Sequence, residues 1–382
     1  MHVGMASIFQ NPMRGQGTAD YEVYQNDMAL ALMAEDLGFE SVWGVEHHFT
    51  DYTMTPDVTQ FLAAVGGACK KVKLGTMVIV LPWNDPMRVA EKVSMLDCMS
   101  DGRVILGVGR GLGRVEFEGF RVPMGESRDR FVESADMVLT GLEKGYCEYD
   151  GEFIKQPRAR IRPEPFRSFK NRTYAAAVSP ESSAIMANLG LGILVIPQKP
   201  WEVHAEELSA YNDLFMKTHG VPAPRPYIGG WVMCDKDAGK AEDMARKYIG
   251  GYWNSVVKHY EMTSDHFEST KGYEYYKVLK ESIDNDGLDA MSEFFMSLQI
   301  WGTPEQCYEK IVDIHSRTDC CGFTGVFSYA GMTSQMAQDS MSLFAREVVP
   351  QLKELGERPL FDREVDGPPA FMLGEQQVAS AG

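Results

Sequence analysis

Long apolar runs are absent from this chain of 382 residues, and none approaches the roughly 20 residues that a membrane-spanning helix needs. The opening segment, Met1–Met5, lacks a basic stretch followed by an apolar one, so we expect neither a signal peptide nor a membrane partner. Basic residues are also scarce, because 37 Lys and Arg stand against 54 Asp and Glu and give a formal net charge of −17. Since a phosphate backbone repels such a surface, we expect no nucleic-acid partner.

Cysteines show no pairing by spacing. The seven cysteines include no Cys-x-x-Cys motif and their number is odd, so we expect neither a disulfide framework nor a metal site. The adjacent pair Cys320-Cys321 is open to a redox role, but we favour small buried residues entering a strand, because free cysteine packs as a hydrophobic residue. This cysteine usage is typical of a cytoplasmic protein.

Eight apolar runs of strand length alternate with amphipathic segments of helical periodicity. The runs are nearly continuous, as in strands that are buried on both faces of a parallel sheet. They are Val3–Ile8, Ser41–Val45, Leu74–Leu81, Val104–Val108, Tyr174–Val178, Gly192–Ile196, Tyr227–Met233 and Phe323–Phe327. Helical patterns cover Tyr21–Leu37, Pro86–Met99, Trp201–Thr218 and Pro304–Ser316. This alternation predicts an α/β protein, a closed (β/α)8 TIM barrel.

Two long connections interrupt the alternation, and we expect both to be insertions in the barrel. Leu112–Arg172 follows strand four, and Ala238–Thr303 separates strands seven and eight. Long connections often carry function, so Asp284–Leu298 is predicted to be a mobile lid over the site. Residues 1–352 are expected to form one barrel domain, and the polar tail, residues 353–382, is expected to wrap the surface or fray.

The second predicted strand ends in three ionisable residues, Glu46, His47 and His48. The carboxyl ends of barrel strands face the active site, and charge is costly to bury there unless the groups pair or react. We interpret His47 as a hydrogen-bonding or acid–base residue beside a ligand. In the alternative interpretation, Glu46 and the histidines only tie the strand to adjacent loops. Adjacent histidines on an extended chain point to opposite sides, so they rarely bind one metal ion.

Two further strand ends carry groups suited to an anion. The glycine-rich segment after strand four does not match the spacing of a dinucleotide-binding turn, but Gly109 lets backbone approach a ligand closely. Arg110 offers a planar fork of donors to a phosphate, unless it only pairs with a surface carboxylate. Strand five runs into a helix start with several hydroxyl groups, Ser179–Ser183, which suits a phosphate site, a plain N-cap, or both.

The third predicted strand, Gly75–Pro82, offers backbone to a flat ring. Together with the two anion sites, it indicates an aromatic cofactor with a phosphate, lying across the mouth of the barrel. FMN fits this description, whereas nothing resembles the pyrophosphate-binding turn that FAD would favour.

Six ordered segments carry a resemblance to a known family. They are Trp43–Thr50, Gly75–Arg88, Leu96–Leu112, Thr270–Tyr273, Gly302–Cys307 and Cys320–Phe323. They resemble the bacterial luciferase-like flavin monooxygenases, and the luciferase alpha subunit in particular. The resemblance implies a two-component enzyme in which a separate flavin reductase supplies FMNH2, O2 adds to give a C4a-peroxyflavin, and the substrate is oxygenated. It also implies a homodimer, for which Tyr52–Ala64 and Pro86–Met99 are candidate faces.

The resemblance further assigns roles by motif. His47 matches the catalytic histidine, Arg110 matches the arginine on the FMN phosphate, and Met77-Val78 matches a pair joined by a non-prolyl cis peptide beneath the flavin ring. Trp253 matches a tryptophan near the substrate cavity. The candidate cofactor contacts are Glu46, Met77, Val78, Gly109, Arg110, Val178, Ser179, Ser182 and Ser183. The candidate substrate-pocket residues are Met5, His48, Trp253 and Met332.

Three departures from the family pattern bear on the substrate. Gly109 stands where luciferases carry a reactive cysteine, and Val195-Ile196-Pro197 stands where they carry a tryptophan. The segment Asp284–Leu298 is acidic and rich in methionine, whereas the luciferase loop is basic. We therefore expect a different pocket and no light emission from long aldehydes.

The main hypothesis is an FMNH2-dependent monooxygenase of an apolar small molecule: a terpene, a ketone, an aldehyde or an aromatic compound. A second hypothesis is hydride transfer with the deazaflavin F420 on the same fold. A third, non-enzymatic hypothesis is a flavin-binding partner subunit like the luciferase beta chain. The joint presence of Glu46, His47, His48 and Arg110 argues against the third.

Overall fold

Eight parallel strands close into a barrel in the computed structural model, which describes residues 1–177, 179–355 and 367–372. The strands are β1 (His2–Ser7), β2 (Ser41–Gly44), β3 (Lys73–Thr76), β4 (Ile79–Val80), β5 (Val104–Gly109), β6 (Tyr146–Asp150), β7 (Lys155–Arg160), β8 (Thr173–Ala176), β9 (Gly192–Val195), β10 (Tyr227–Cys234), β11 (Ile300–Gly302) and β12 (Gly322–Val326). The barrel runs β1-β2-β3-β5-β8-β9-β10-β12 and closes where β12 pairs with β1. All eight predicted strands are present, and the predicted TIM barrel is confirmed.

Helices connect the barrel strands on the outside. They are α1 (Asp20–Met33), α2 (Val58–Ala68), α3 (Pro86–Met99), α4 (Arg114–Phe120), α5 (Ser127–Lys144), α6 (Pro180–Leu189), α7 (Trp201–His219), α8 (Ala238–His259), α9 (His266–Ser269), α10 (Tyr275–Asp286), α11 (Leu288–Ser297), α12 (Pro304–Thr318), α13 (Ser334–Glu347) and α14 (Val349–Glu354). The start of α12 follows from local chemistry, because the Thr303 side chain accepts the Gln306 N–H and Pro304 occupies the first turn.

The third strand corrects the sequence analysis. Leu74–Leu81 was expected to be continuous, but β3 stops at Thr76 and β4 covers only Ile79–Val80. Between them lies the Met77-Val78 peptide bond, which is cis, as the family resemblance implies. Apolar composition alone carries no signal for such a break, since both halves read as one buried strand.

The two long connections have more regular structure than the sequence indicated. The connection after β5 contains α4, α5 and the antiparallel hairpin β6–β7, which was not predicted. The connection after β10 contains four helices and then β11, which pairs in parallel with the end of β10. The predicted lid, Asp284–Leu298, contains the end of α10 and all of α11. Its mobility stays a prediction.

The lower part of the barrel is held by a buried ion pair. Arg172 donates two hydrogen bonds to the Asp97 carboxylate, at 2.6 and 2.8 Å, and both side chains are about 1% exposed. The same guanidinium also donates to the Val104 carbonyl, so the pair joins α3 to β5 and to the start of β8. A shift of one of these elements would break the pair and leave an uncompensated buried charge, so the ion pair favours the observed register.

The end of the chain is described in part. Gly367 accepts the Ser168 N–H at 3.0 Å, which attaches residues 367–372 to the barrel. Residues 356–366 and 373–382 of the predicted tail lie outside the described residues, and the domain boundary near 352 stays a prediction. Within the described ranges, no helix combines the length and the apolar character needed to cross a bilayer.

Candidate active site

A cavity lies at the carboxyl ends of the barrel strands, where the sequence analysis placed the site. Predicted residues from four of the strand ends and from α8 line it together: Glu46, His47, Met77, Val78, Gly109, Arg110, Ser179, Ser182 and Trp253. Their sequence separation is large, but the barrel topology brings the strand ends to one rim.

Four predicted residues do not line this cavity. They are Met5, His48, Ser183 and Met332. The His48 ring turns to Glu46 and Phe120 instead, because successive side chains of an extended segment alternate in direction. Met5 lies in the middle of β1, below the rim, and Met332 lies on the loop beyond β12. Val178 falls outside the described residues.

Glu46 joins the end of β2 to the segment after β4. One carboxylate oxygen accepts the Val80 N–H at 2.9 Å, and the other accepts the side-chain N–H groups of Trp83 and Asn84 at 2.8 and 2.9 Å. The His48 Nε2 lies 3.1 Å from that second oxygen. For Glu46 and His48, these contacts match the alternative in which the side chains tie the strand to adjacent loops.

His47 forms a dyad with a carboxylate that the sequence analysis missed. The His47 Nδ1 lies 2.9 Å from Glu116 Oε1, and the same oxygen accepts the His48 backbone N–H at 2.9 Å. Glu116 comes from the first turn of α4 and is fully buried. The other ring nitrogen of His47, Nε2, lies 3.4 Å from the Tyr260 hydroxyl. A carboxylate on Nδ1 orients the ring, which suits a histidine that handles a proton at Nε2.

Electrostatics keep this carboxylate ionised. Burial alone would raise the pKa of Glu116, but His47 and His259 beside it outweigh burial and lower the pKa below its usual range. Burial also lowers the pKa of His259, against the opposing pull of Glu116. Near neutral pH, Glu116 is therefore a buried anion and His259 is a neutral imidazole.

The side chains of His47, Glu116 and His259 offer donor atoms within 4.8 Å of one another, a spacing at which a metal ion can be held. Hydrogen bonding already accounts for most of this cluster, because Glu116 Oε1 faces two nitrogen groups. His47 and His48 point to different carboxylates, so the adjacent histidines do not form a chelating pair.

One end of the cavity is lined by two arginines. Arg110 Nη1 donates to the Gly272 carbonyl at 2.7 Å, and its guanidinium stacks on the Tyr273 ring at 4.0 Å. Arg128, from the first turn of α5, donates to the same carbonyl at 3.2 Å and pairs with Glu181 at 2.7 Å. Each fork keeps further N–H groups, and the buried Arg128 Nε is unpartnered among the residues that the structure describes. Two arginines side by side suit a phosphate.

The start of α6 completes this end. The Ser179 hydroxyl accepts the Ser182 N–H at 3.3 Å and lies 3.0 Å from the Ser182 hydroxyl. From the sequence, this helix start suited an anion site, an N-cap, or both. The geometry is compatible with both, because the capping hydroxyls line the cavity beside the arginines.

The floor of the cavity is made of backbone and small residues. Met77 and Val78 lie between β3 and β4, while Gly109 ends β5. A Cβ atom built on Gly109 would collide with the Val78 side chain, so the position is glycine for a steric reason. Gly229 and Gly230 of β10 also contribute no side chain to this floor. A flat surface of this kind suits a planar ring.

Another part of the cavity lining is an aromatic wall, which we define as Trp231, Tyr252, Trp253 and Phe295. Trp253 and Phe295 stack with their centroids 5.2 Å apart, and Trp231 lies 4.2 Å from Tyr252. Phe295 belongs to α11, so the predicted lid segment supplies one face of the wall. Such a wall favours apolar or aromatic ligands.

Several cavity residues escaped the sequence analysis because their signal is not local. Arg128 and Glu116 lie inside charged helical segments and look like ordinary surface residues. Tyr260 directly follows α8, far along the chain from any strand end, and His259, the last residue of that helix, contacts Glu116 from outside the cavity lining. The only usable sign was the motif Thr270–Tyr273, whose Gly272 carbonyl receives both arginines.

Comparison with known proteins adds to this geometry. The model of the luciferase-like monooxygenase family matches residues 1–319. The alkanal monooxygenase alpha chain of Photorhabdus luminescens is 30% identical over 351 residues, which cover 87% of this chain and 93% of that protein.

Solved structures share the fold at lower identity. The oxygenating constituent of 3,6-diketocamphane monooxygenase from Pseudomonas putida, a type II Baeyer–Villiger monooxygenase in complex with FMN, has a TM-score of 0.70 at 17% identity, covering 92% of this chain and 98% of that one. An F420-dependent secondary alcohol dehydrogenase, in complex with an F420-acetone adduct, has a TM-score of 0.66 at 16% identity, covering 91% and 98%. At these identities the likeness concerns the fold alone.

Proposed function

Because the chain belongs to the luciferase-like monooxygenase family, we propose that it is a flavin monooxygenase that uses reduced FMN from a separate reductase, together with O2. The observation that carries the proposal is one cavity lined by two arginines and two serine hydroxyls, by a floor with few side chains, and by an oriented histidine. Its substrate is an apolar small molecule.

The residues present fit FMN. Arg110 and Arg128 with the hydroxyls of Ser179 and Ser182 would hold the phosphate, and the buried Arg128 Nε, which has no hydrogen bond among the described residues, supports this role. Met77-Val78 and Gly109 leave room for a ring. When bound in its reduced form, FMN supplies the electrons that activate O2.

His47 holds or transfers a proton during the reaction. Glu116 fixes Nδ1, so Nε2 is the ring atom left to hold or deliver a proton at the cavity. The aromatic wall and the buried tyrosines around His47 exclude water, which protects a reactive flavin from wasteful decay.

The aromatic wall supports an apolar or aromatic substrate and gives no group for a charged one. Terpenes, ketones, aldehydes and simple aromatic compounds all meet that condition. Gly109 in place of the luciferase cysteine argues for oxygenation without light emission.

Hydride transfer with F420 is the rival proposal, supported by the shared fold. The 30% identity to a monooxygenase over most of both chains favours FMN. A passive partner subunit is disfavoured, because it would have no need of the buried His47–Glu116 dyad.

The experiment is His47→Ala, assayed with reduced FMN, O2 and a panel of one terpene, one cyclic ketone, one long aldehyde and one simple aromatic compound. FMN affinity should stay nearly unchanged, while product formed per O2 consumed should fall at least about tenfold, since acid–base groups contribute about 10²–10⁴-fold. His219→Ala, whose ring caps the Ala187 carbonyl outside the cavity, is the control. Full product yield in His47→Ala would remove the assigned role.

A further inference from the structure

We propose that His259 is a positioning residue, which holds the second oxygen of the Glu116 carboxylate so that the first oxygen stays on His47. The inference rests on the proposed function only for the consequence in turnover. The contacts that carry it belong to the protein alone.

The two carboxylate oxygens of Glu116 differ in their hydrogen bonding. Oε1 faces the His47 ring and accepts the His48 N–H, whereas the buried Oε2 has no hydrogen bond among the described residues. His259 Nε2, also buried and without a hydrogen bond there, lies 3.7 Å from Oε2. An acceptor and a nitrogen that both lack partners face each other just beyond hydrogen-bond distance.

The neighbours of His259 select the tautomer that suits this contact. The Thr50 hydroxyl lies 2.9 Å from His259 Nδ1 and accepts the Tyr52 backbone N–H at 3.4 Å. The Glu116 carboxylate favours an N–H on the ring nitrogen that faces it, and the Thr50 hydroxyl, which keeps its own proton while it accepts from Tyr52, can then donate that proton to Nδ1. The imidazole proton is then on Nε2, the atom that faces Glu116.

Packing fixes the ring in this orientation. The His259 ring stacks on Tyr52 with centroids 4.4 Å apart and planes 14° from parallel. On the other side, a Cβ atom at Gly113 would lie 2.6 Å from Glu116 Oε2 and 3.1 Å from His259 Nε2. The absence of a side chain at Gly113 therefore lets the two groups approach.

Without the His259 donor, Glu116 Oε2 would be a buried charged oxygen with no hydrogen-bond donor among the residues that the structure describes. Such a group costs more free energy than a buried apolar one, so the carboxylate gains by rotating or by taking up a proton. Either change weakens its hold on His47 Nδ1. The His47 ring would then populate both tautomers, and Nε2 would no longer be uniformly free of the ring proton.

Three substitutions separate positioning from packing. His259→Leu removes the donor but fills the space, His259→Gln restores an N–H near Oε2, and Gly113→Ala pushes the two groups apart without removing either. His204→Leu is the matched control, because His204 is similarly buried, also has an Nε2 with no hydrogen bond in the described part of the chain, and lies outside the cavity lining.

The first measurement is ¹⁵N NMR of the histidine rings in the protein without flavin. His47 should show one tautomer, protonated at Nδ1, in the unsubstituted protein, in His259→Gln and in His204→Leu. His259→Leu and Gly113→Ala should show mixed tautomers. A single unchanged His47 tautomer in His259→Leu would overturn the proposal, as would a His259→Gln spectrum that matches the leucine variant.

The second measurement is turnover with the FMN system. The kcat of His259→Leu should fall roughly 10- to 100-fold with little change in KM or FMN affinity, and His259→Gln should recover most of it. A loss confined to KM would contradict positioning. If the unsubstituted protein shows no O2-dependent turnover, the proposed function fails, and the NMR result still decides the role of His259.

Discussion

The two ends of the cavity are built on different principles. At the phosphate end, Arg110, Arg128 and the Ser179 hydroxyl converge from β5, α5 and the start of α6. At the aromatic wall, β10, α8 and α11 contribute four aromatic side chains and no charged group. Groups that recognise a phosphate have few chemical alternatives, whereas many apolar side chains fill a wall equally well. In the proposed function, the first end binds the cofactor and the second binds the substrate.

The largest expected effect tests the phosphate end. Arg110→Ala should weaken FMN binding by about 100-fold, because a charge-assisted hydrogen bond contributes about 1.5–3 kcal/mol and a fork donates more than one. Arg110→Lys should recover little, since lysine lacks the planar fork. Fluorescence titration with FMN measures both.

Arg130→Ala is the matched control for the arginine variants. Arg130 lies on α5 near Arg128 but pairs with Glu126 and stacks on Phe153, outside the cavity lining. If Arg130→Ala weakened FMN binding as much as Arg110→Ala, general surface charge rather than a phosphate site would explain the loss.

A smaller effect is expected at the aromatic wall. Phe295→Leu removes the ring that stacks on Trp253 while keeping the wall apolar. The KM for the substrate should rise by about fivefold to tenfold, in line with about 0.5–1.5 kcal/mol for an aromatic pair. FMN affinity should stay unchanged. A parallel loss of FMN affinity would show that the two ends are not separate.

The smallest effect concerns the floor between the two ends. Gly109→Cys should destabilise the fold by about 1 kcal/mol, because the new side chain overlaps Val78 and small-to-large changes in packed sites are costly. Adding Val78→Ala should recover that stability by making room for the thiol. Thermal unfolding measures the stability of the single variant Gly109→Cys and of the double variant with Val78→Ala. If the double variant were no more stable than the single one, the steric explanation for Gly109 would be refuted.

The same contrast explains how much the sequence could predict. The barrel followed from eight apolar runs, because a strand buried on both faces leaves a local pattern. Arg110 and Ser179 were found because each directly follows a strand. Arg128 and Glu116 come from helices inside an insertion, and only the closed barrel brings them to the rim. A contact that only the folded barrel creates leaves no pattern in the neighbouring sequence.

His48 and Met332 show the opposite difficulty. His48 has the right position at a strand end, but the alternation of side chains turns it to Glu46 and Phe120. Met332 has the right chemistry for an apolar pocket, yet methionine also fills ordinary core, and there it is buried away from the lining. The direction of the side chain, rather than the residue type, decides that Trp253 lines the cavity and that His48 and Met332 do not.

The central claim is tested most directly by an anaerobic titration of the protein with reduced FMN and, separately, with reduced F420, each followed by a pulse of O2 in the presence of the substrate panel. Tight binding of reduced FMN, and one oxygenated product formed only after the pulse, are the results that we predict. Turnover with F420 under anaerobic conditions, and no O2-dependent product with FMN, would contradict the assignment of a flavin monooxygenase.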